Sequence, residues 1–135
     1  MKSLAFLFLL PAALLCQTPS SMVRFHTNFG DIDVTLLPNS APRTVTNFLN
    51  YVNRGAYNNS LIHRSVAGFI IQGGGYQFIN RVPREIASDP PVVNEFSVSN
   101  TRGTIAMAKL GSSPNSATNQ WFFNLADNSR NLNSN

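Results

Sequence analysis

The stretch LIHRSVAGFIIQGGG occupies residues 61–75 of the chain. Apolar and small residues on both sides of a short turn predict two paired strands, over residues 57–64 and 68–72. Arg64 ends the first strand and Gln72 ends the second, just before three glycines that permit positive φ or close backbone approach. Two interpretations follow. The stretch is either an ordinary strand pair with polar residues at its ends, or an apolar binding surface on which the Arg64 guanidinium is placed.

The segments before this stretch predict a hairpin and a helix. Residues 23–38 alternate apolar and polar side chains about a turn at residues 28–31, which is typical of two strands. Residues 39–55 predict a helix that Ser40 caps and Gly55 ends. Its apolar face has helical spacing and consists of Val45, Phe48, Leu49 and Val52.

The segments after the stretch predict short strands joined by long loops. Residues 76–91 contain three prolines and predict a loop, and residues 102–109 predict a strand. Residues 119–125 predict a further strand, in which alternation places Trp121 in the core. Several short strands with one clear helix indicate a mainly β domain, built as a barrel or sandwich with a helical covering.

Composition restricts the functional classes. The chain has 135 residues, which favours a single domain, and only 12% of them are charged against a typical ~25%. Its net charge of +4 is spread without a run of Lys or Arg, so nucleic acid is not an expected partner. Two histidines and one cysteine offer no metal site, and no phosphate-binding or dinucleotide-binding glycine motif occurs, so no cofactor is predicted.

The first 21 residues differ from the rest. Lys2 precedes an apolar run over residues 4–15, which is too short to span a bilayer and is typical of a signal peptide. Residues 1–21 are therefore predicted to be a leader, and the domain is predicted to be exported, periplasmic or secreted. An uncleaved anchor and a lipoprotein with lipid on Cys16 remain alternatives, and the leader or that lipid would be the only membrane contact.

The residues around Arg64 suit one kind of reaction. They include no evident nucleophile or general base, but Phe69, Met107 and Phe122 could form an apolar pocket beside Arg64 and Gln72. Isomerisation of an X-Pro bond needs only such a pocket and a donor, because its barrier of about 18–20 kcal/mol is torsional. A cationic donor aimed at the prolyl nitrogen would favour the pyramidal form that exists only when amide resonance is lost.

Three blocks of the chain resemble the cyclophilin family. They are IHRSVAGFIIQGGG, RGTIAMAK and SATNQWFFNLADN, and the resemblance extends from about residue 23 to residue 135. It implies a cyclophilin-like antiparallel β-barrel with a covering helix, and peptidyl-prolyl cis-trans isomerase activity that assists the folding of exported proteins. It also implies proline-containing polypeptides as substrates, possible binding of cyclosporin-type ligands, and a monomer.

The resemblance also assigns roles to single residues. Arg64 is implied to be the catalytic arginine. The implied substrate-binding residues are His63, Phe69, Gln72, Met107, Ala108, Lys109, Gln120, Phe122 and Leu132.

The chain departs from the family pattern in two ways. Ile62 replaces the usual Phe before His63, and the family's last strands and second helix are not found after residue 135. We therefore expect residues 22–135 to form a C-terminally truncated domain with an incomplete barrel. A cyclophilin-like module that binds proline peptides without turning them over, or an inactive fragment, remains the alternative function.

Overall fold

The computed structural model describes residues 22–133, so the predicted leader at residues 1–21 lies outside the described residues. The described residues form eight strands and two helices. In chain order they are β1 (Met22–Thr27), β2 (Gly30–Thr35), α1 (Pro42–Asn53), β3 (Arg64–Val66), β4 (Ile70–Gly73), β5 (Tyr76–Ile79), β6 (Val82–Glu85), β7 (Ile105–Met107), β8 (Trp121–Asn124) and α2 (Ser129–Leu132). The mainly β prediction is confirmed.

Three antiparallel sheets organise these strands. β1 pairs with β2, and β5 pairs with β6. The third sheet has four strands in the order β3-β4-β8-β7. The strand pair predicted from the opening stretch is present as β3 and β4, but Arg64 begins the first strand instead of ending it, because the turn lies at residues 67–69 rather than 65–68. The register of this sheet places Gln72 of β4 opposite both Arg64 and Phe122.

The core lies between the β1–β2 hairpin, α1 and one face of the four-stranded sheet. Its buried cluster contains Val34, Leu36, Phe48 and Trp121. The ring of Phe25 lies 4.9 Å from that of Trp121 and 6.1 Å from that of Phe48, between centroids. The prediction that Trp121 belongs to the core is confirmed, since only 3% of this residue is exposed.

Helix α1 lies close to its predicted position, and Val45, Phe48 and Leu49 of its predicted apolar face pack in the core. Phe48 and Tyr51 are buried, whereas Val52, which the spacing placed on the apolar face, is 36% exposed. The Tyr51 hydroxyl accepts a hydrogen bond from the Asp89 backbone N–H at 2.6 Å. The polar end of this buried side chain therefore has a hydrogen-bond partner. Gly55 follows the helix with a φ of +70°, as predicted for its C-terminal glycine.

The helix N-terminus is capped from a distant segment. Ser40 was predicted as the cap, but Ala41 occupies that position and no side chain of the helix entry supplies the bond. Instead the Glu95 carboxylate accepts the backbone N–H groups of Arg43 and Thr44 at 3.2 and 2.8 Å. Partial burial raises the pKa of Glu95, but the bonds from Thr44 and Arg43 outweigh it and hold this pKa below its usual value.

The segment predicted as a loop over residues 76–91 contains a hairpin instead, formed by β5 and β6. Asn80 and Arg81 form its turn, with φ values of +52° and +66°. These left-handed values match the twist of a two-residue hairpin turn. Pro83 is the reason that a loop was predicted, but a proline is tolerated in β6 because this strand pairs with β5 alone and is therefore an edge strand.

The strands do not close into a barrel within residues 22–133. A cleft of about 1150 Å³ separates β2 and the segment around Val93 and Phe96 from the β7 side of the four-stranded sheet. Phe96 is 44% exposed there and Val93 is 41% exposed. Among the described residues, no helix has the length and apolar character needed to cross a membrane.

The Glu95 cap gives a pH-dependent prediction. An unfolded glutamate titrates near pH ~4.3. Because the folded pKa is lower, the stabilisation is complete above that value and disappears as the pH falls through the folded pKa. We expect Glu95→Gln to lower the free energy of unfolding by about 1 kcal/mol at neutral pH, and by less in acid. Urea unfolding at both pH values measures this. The control is Glu85→Gln, at an exposed position of β6, and an equal loss at both pH values would contradict the prediction.

Close packing at the end of β4 gives a second prediction. A Cβ added to Gly73 would lie 2.8 and 2.9 Å from two ring carbons of Trp121, which the core holds in place. Gly73→Ala should therefore lower the free energy of unfolding by about 1–3 kcal/mol. Gly111→Ala is the matched control, because a Cβ there meets no atom within 4 Å. Similar chemical-denaturation midpoints for the two variants would contradict the prediction, because they would mean that the core rearranges to accommodate the added methyl group.

Candidate active site

A row of four side chains crosses one face of the four-stranded sheet. Arg64 lies opposite Gln72, Gln72 opposite Phe122, and Phe122 opposite Ala106. Directly paired residues of antiparallel strands project to the same face. The row therefore places a guanidinium, an amide and an aromatic ring side by side, with a small residue at the β7 end. We call this face the site face.

Hydrogen bonds between side chains order the polar half of the row. Arg64 Nη1 donates to Gln72 Oε1 at 3.3 Å, and Gln72 Nε2 donates to Gln120 Oε1 at 2.7 Å. The second bond fixes which way the Gln72 amide points, so its oxygen faces the guanidinium. Gln72 and Gln120 are half-buried, whereas Arg64 is exposed.

The charge of Arg64 is not neutralised by a neighbour. Within residues 22–133, carboxylates form ion pairs with Arg24, His26 and Arg54 but not with Arg64. Its side chain makes one hydrogen bond to an uncharged amide, which leaves other N–H groups of the guanidinium available. The arrangement thus presents a permanent cation with directional donors beside an apolar surface.

Met107 does not lie on the site face. It is paired with Trp121, one residue out of phase with the row, and it packs against the core cluster. Met107 and Ala108 are both predicted groove residues, although adjacent residues of a strand project to opposite faces. Ala106 and Ala108 are the two positions in phase with the row.

Phe69 and Leu132 are two further predicted pocket residues, and both lie outside the paired strands. Phe69 precedes β4, is half-buried, and its carbonyl accepts the Leu125 backbone N–H at 2.8 Å. Leu132 ends the one-turn helix α2, where its backbone N–H donates to the Asn128 carbonyl at 2.9 Å. Both residues line the cleft together with Phe122.

His63 precedes Arg64 and lies near Gln72, Tyr76 and Gln120. Its backbone N–H donates to the Gln72 carbonyl at 3.1 Å, and its exposed ring meets the Tyr76 ring edge-on at 5.3 Å between centroids. A Cβ on Gly75 would come within 3.1 Å of the His63 ring and 3.2 Å of the Gln120 amide. Glycine at this position lets both side chains lie close to the backbone.

The remaining predicted residues surround β7 and β8. The Ala108 backbone N–H donates to the Gln120 carbonyl at 2.8 Å, which extends the pairing of the two strands by one bond. Lys109 follows and also lines the cleft. The cleft is lined by eight of the ten predicted residues: Arg64, Phe69, Gln72, Met107, Ala108, Lys109, Phe122 and Leu132. It continues around the β7 edge to the core side, which is how Met107 comes to line it.

Sequence reasoning missed three features of this region. Ala106 completes the row and could have been found from strand alternation alone. Tyr76 contacts His63, but the prediction of a loop concealed it. Several buried asparagines beneath Phe69 carried no recognisable pattern. In the part of the chain that the structure describes, His, Cys, Asp and Glu side chains form no group of three or more that could hold a metal ion.

Comparisons with known proteins agree on the family. The family described as cyclophilin type peptidyl-prolyl cis-trans isomerase/CLD matches residues 22–135. Peptidyl-prolyl cis-trans isomerase B of Escherichia coli (strain K12) is 47% identical over 109 residues, which are 79% of this chain and 64% of that protein. A peptidyl-prolyl cis-trans isomerase of Acinetobacter baylyi is 44% identical over 111 residues, 81% of this chain and 57% of that protein. The chain thus spans about three-fifths of the length of these curated relatives.

Solved structures agree as well. A Cryptosporidium parvum cyclophilin type peptidyl-prolyl cis-trans isomerase, crystallised in the presence of the dipeptide Ala-Pro, has a TM-score of 0.68 and 28% identity. The match covers 81% of this chain and 70% of that one. A cyclophilin of Hirschia baltica, 19% identical with a TM-score of 0.68, supports the fold alone. The predicted cyclophilin fold is confirmed, although its sheets remain open among the described residues, and the chain belongs to the cyclophilin-type peptidyl-prolyl cis-trans isomerase family.

Proposed function

We propose that this protein is a peptidyl-prolyl cis-trans isomerase that acts on X-Pro bonds of polypeptides. The observation that carries the proposal is the cross-strand row of Arg64, Gln72 and Phe122 on the site face. It supplies a cation, an orienting amide and an apolar surface without any nucleophile, which suits a reaction that breaks no covalent bond. Family membership over residues 22–135 supports the same conclusion.

The barrier to be lowered is the partial double bond between the carbonyl carbon and the prolyl nitrogen. When the amide twists, resonance is lost and the nitrogen regains a lone pair. An Arg64 N–H directed at that lone pair is stabilising only in the twisted state, so it lowers the barrier rather than merely tightening ground-state binding. Each ~1.4 kcal/mol of this difference raises the rate about tenfold.

The other residues hold the substrate while the amide rotates. Phe122 and Phe69 offer apolar surface to the pyrrolidine ring, and the Gln72 amide can bond the backbone beside the proline. Gln120 keeps the oxygen of that amide towards Arg64. In this proposal Met107 does not contact the substrate; it supports the sheet from the core side, where it packs against the buried cluster.

The biological setting belongs to the same proposal. Lys2 and the apolar run at residues 4–15 support export to the periplasm or beyond, where the substrates would be proline-containing segments of exported proteins. Cyclosporin-type ligands would compete for the same apolar surface, and the protein would act as a monomer.

Replacement of Arg64 tests the catalytic role. Arg64→Ala should lower kcat/KM for an X-Pro peptide by about 10²-fold, as expected when one transition-state donor is removed. Arg64→Lys should restore only part of the rate, because a lysine lacks the planar, directional donors. A protease-coupled or NMR exchange assay on the full chain measures both.

Arg84→Ala is the control for Arg64, since it removes an exposed arginine from β6. It should leave the rate within about twofold of the unmodified protein, as is usual for exposed positions. An unchanged rate in Arg64→Ala would refute the catalytic assignment. Peptide binding by the unmodified chain without any isomerisation would instead establish the binding-module alternative.

The leader gives a separate prediction. When the full gene product is expressed in a bacterium with its own secretory machinery, we expect the mature chain to start after the apolar run, near residue 22. Intact-mass measurement of the periplasmic fraction reads this directly. A lipid-modified Cys16 or an uncleaved Met1 in the membrane fraction would overturn the signal-peptide interpretation.

A further inference from the structure

Three buried asparagines lie beside the segments that carry Phe69, Phe122 and Leu132. Asn100, Asn124 and Asn128 are 7%, 2% and 3% exposed. Buried amides are destabilising unless their polar atoms are hydrogen-bonded, so such a cluster persists only when its members satisfy one another. Asn124 is two residues from Phe122 in β8 and therefore projects to the same face.

Hydrogen bonds join the three amides into one chain, which we call the asparagine ladder. Asn128 Nδ2 donates to Asn124 Oδ1 at 2.8 Å, and Asn124 Nδ2 donates to Asn100 Oδ1 at 3.2 Å. Asn124 Nδ2 also donates to the Thr104 hydroxyl at 2.9 Å. Each amide nitrogen donates to the oxygen of the next amide, so the orientation of every side-chain amide in the ladder is fixed.

The two ends of the ladder bind the backbone of two predicted pocket residues. At one end, Asn128 Nδ2 donates to the Phe69 carbonyl at 2.9 Å. At the other end, Asn100 Nδ2 donates to the Leu132 carbonyl at 3.3 Å. The Asn128 carbonyl also accepts the Leu132 backbone N–H at 2.9 Å, so Asn128 binds both residues itself.

We infer that the asparagine ladder is a positioning device that sets the distance between Phe69 and Leu132, and thereby the width of the proline pocket. Phe69 is the last residue of a turn and Leu132 ends a helix of a single turn, so neither is held by a long regular element. The ladder replaces that support with side-chain bonds. The inference rests on the proposed function, because it assigns a role to the pocket of that site.

A purely structural role predicts a different result. If the ladder served only to hold the segments near residues 100 and 128 together, its loss would reduce the amount of folded protein. Every ligand would then lose apparent affinity by the same factor. A change in pocket width instead alters the discrimination between rings of different size, because one methylene group in a fitted apolar pocket is worth about tenfold or more.

The experiment compares two peptides that are identical except for one ring. One contains proline, and the other contains the six-membered homologue piperidine-2-carboxylic acid at the same position. Dissociation constants for the full chain are measured by NMR titration at a temperature at which circular dichroism shows each variant folded. We expect the unmodified protein to prefer proline by about tenfold, and Asn128→Ala to reduce that preference to a few-fold while weakening proline binding.

Two further variants make the result specific. Asn100→Ala acts at the Leu132 end and should shift the preference in the same direction, and it replaces Asn128→Ala if that variant does not fold. Asn53→Ala is the control, at an exposed position near the end of α1, and should change neither affinity. An unchanged ring-size preference in both ladder variants would overturn the inference, as would an unmodified protein that binds neither peptide. Binding without isomerisation by the unmodified protein would refute the proposed function alone.

Discussion

The contact between Trp121 and the glycine backbone at the end of β4 sets the register on which the site depends. The indole ring packs so closely on Gly73 that a Cβ there would lie 2.8 Å from it, and the ring also meets Phe25 at 4.9 Å between centroids. The indole N–H has no hydrogen-bond partner among the described residues, so packing holds the ring in place. Because strand residues alternate, a core-facing Trp121 places Phe122 on the opposite face. A slip of β8 by one residue would turn Phe122 into the core and Trp121 out of it.

The two faces of the four-stranded sheet have opposite requirements. The core face needs continuous apolar contact, which Trp121 and Phe123 provide. The site face needs a charged group that stays accessible, and Arg64 achieves this by bonding a neutral amide rather than a carboxylate. A carboxylate in place of Gln72 would pair with the guanidinium and compete with a substrate for its donors. The amide orients the cation without neutralising it.

The parts of the fold that the sequence predicted are those set by neighbours along the chain. Helix α1 and the pairing of two strands around Arg64 follow from local periodicity, although the first of these strands covers Arg64–Val66 and not residues 57–64. Eight of the ten residues that the family resemblance assigns to the site line one cleft. Glu95 was missed as a helix cap because 51 residues separate it from Thr44. The asparagine ladder was missed for the same reason, since its bonds join segments that only tertiary structure brings together. Alternation along β7 places Met107 opposite Trp121 on the core side, one residue out of phase with the row, although it also lines the cleft.

The register also explains why stability and site geometry are only partly independent. β4 and β8 lie inside the sheet, so Gln72 and Phe122 have a paired strand on each side, whereas Arg64 lies on the edge strand β3 and Ala106 on the edge strand β7. Disturbance at the β7 edge would first affect Ala106 and Met107, and would leave the Arg64–Gln72 pair intact. Disturbance at Gly73 would instead shift β4 against Trp121 and move Gln72 with it, because the two residues are adjacent in one strand. The glycine that the core requires therefore also fixes where the amide faces the guanidinium.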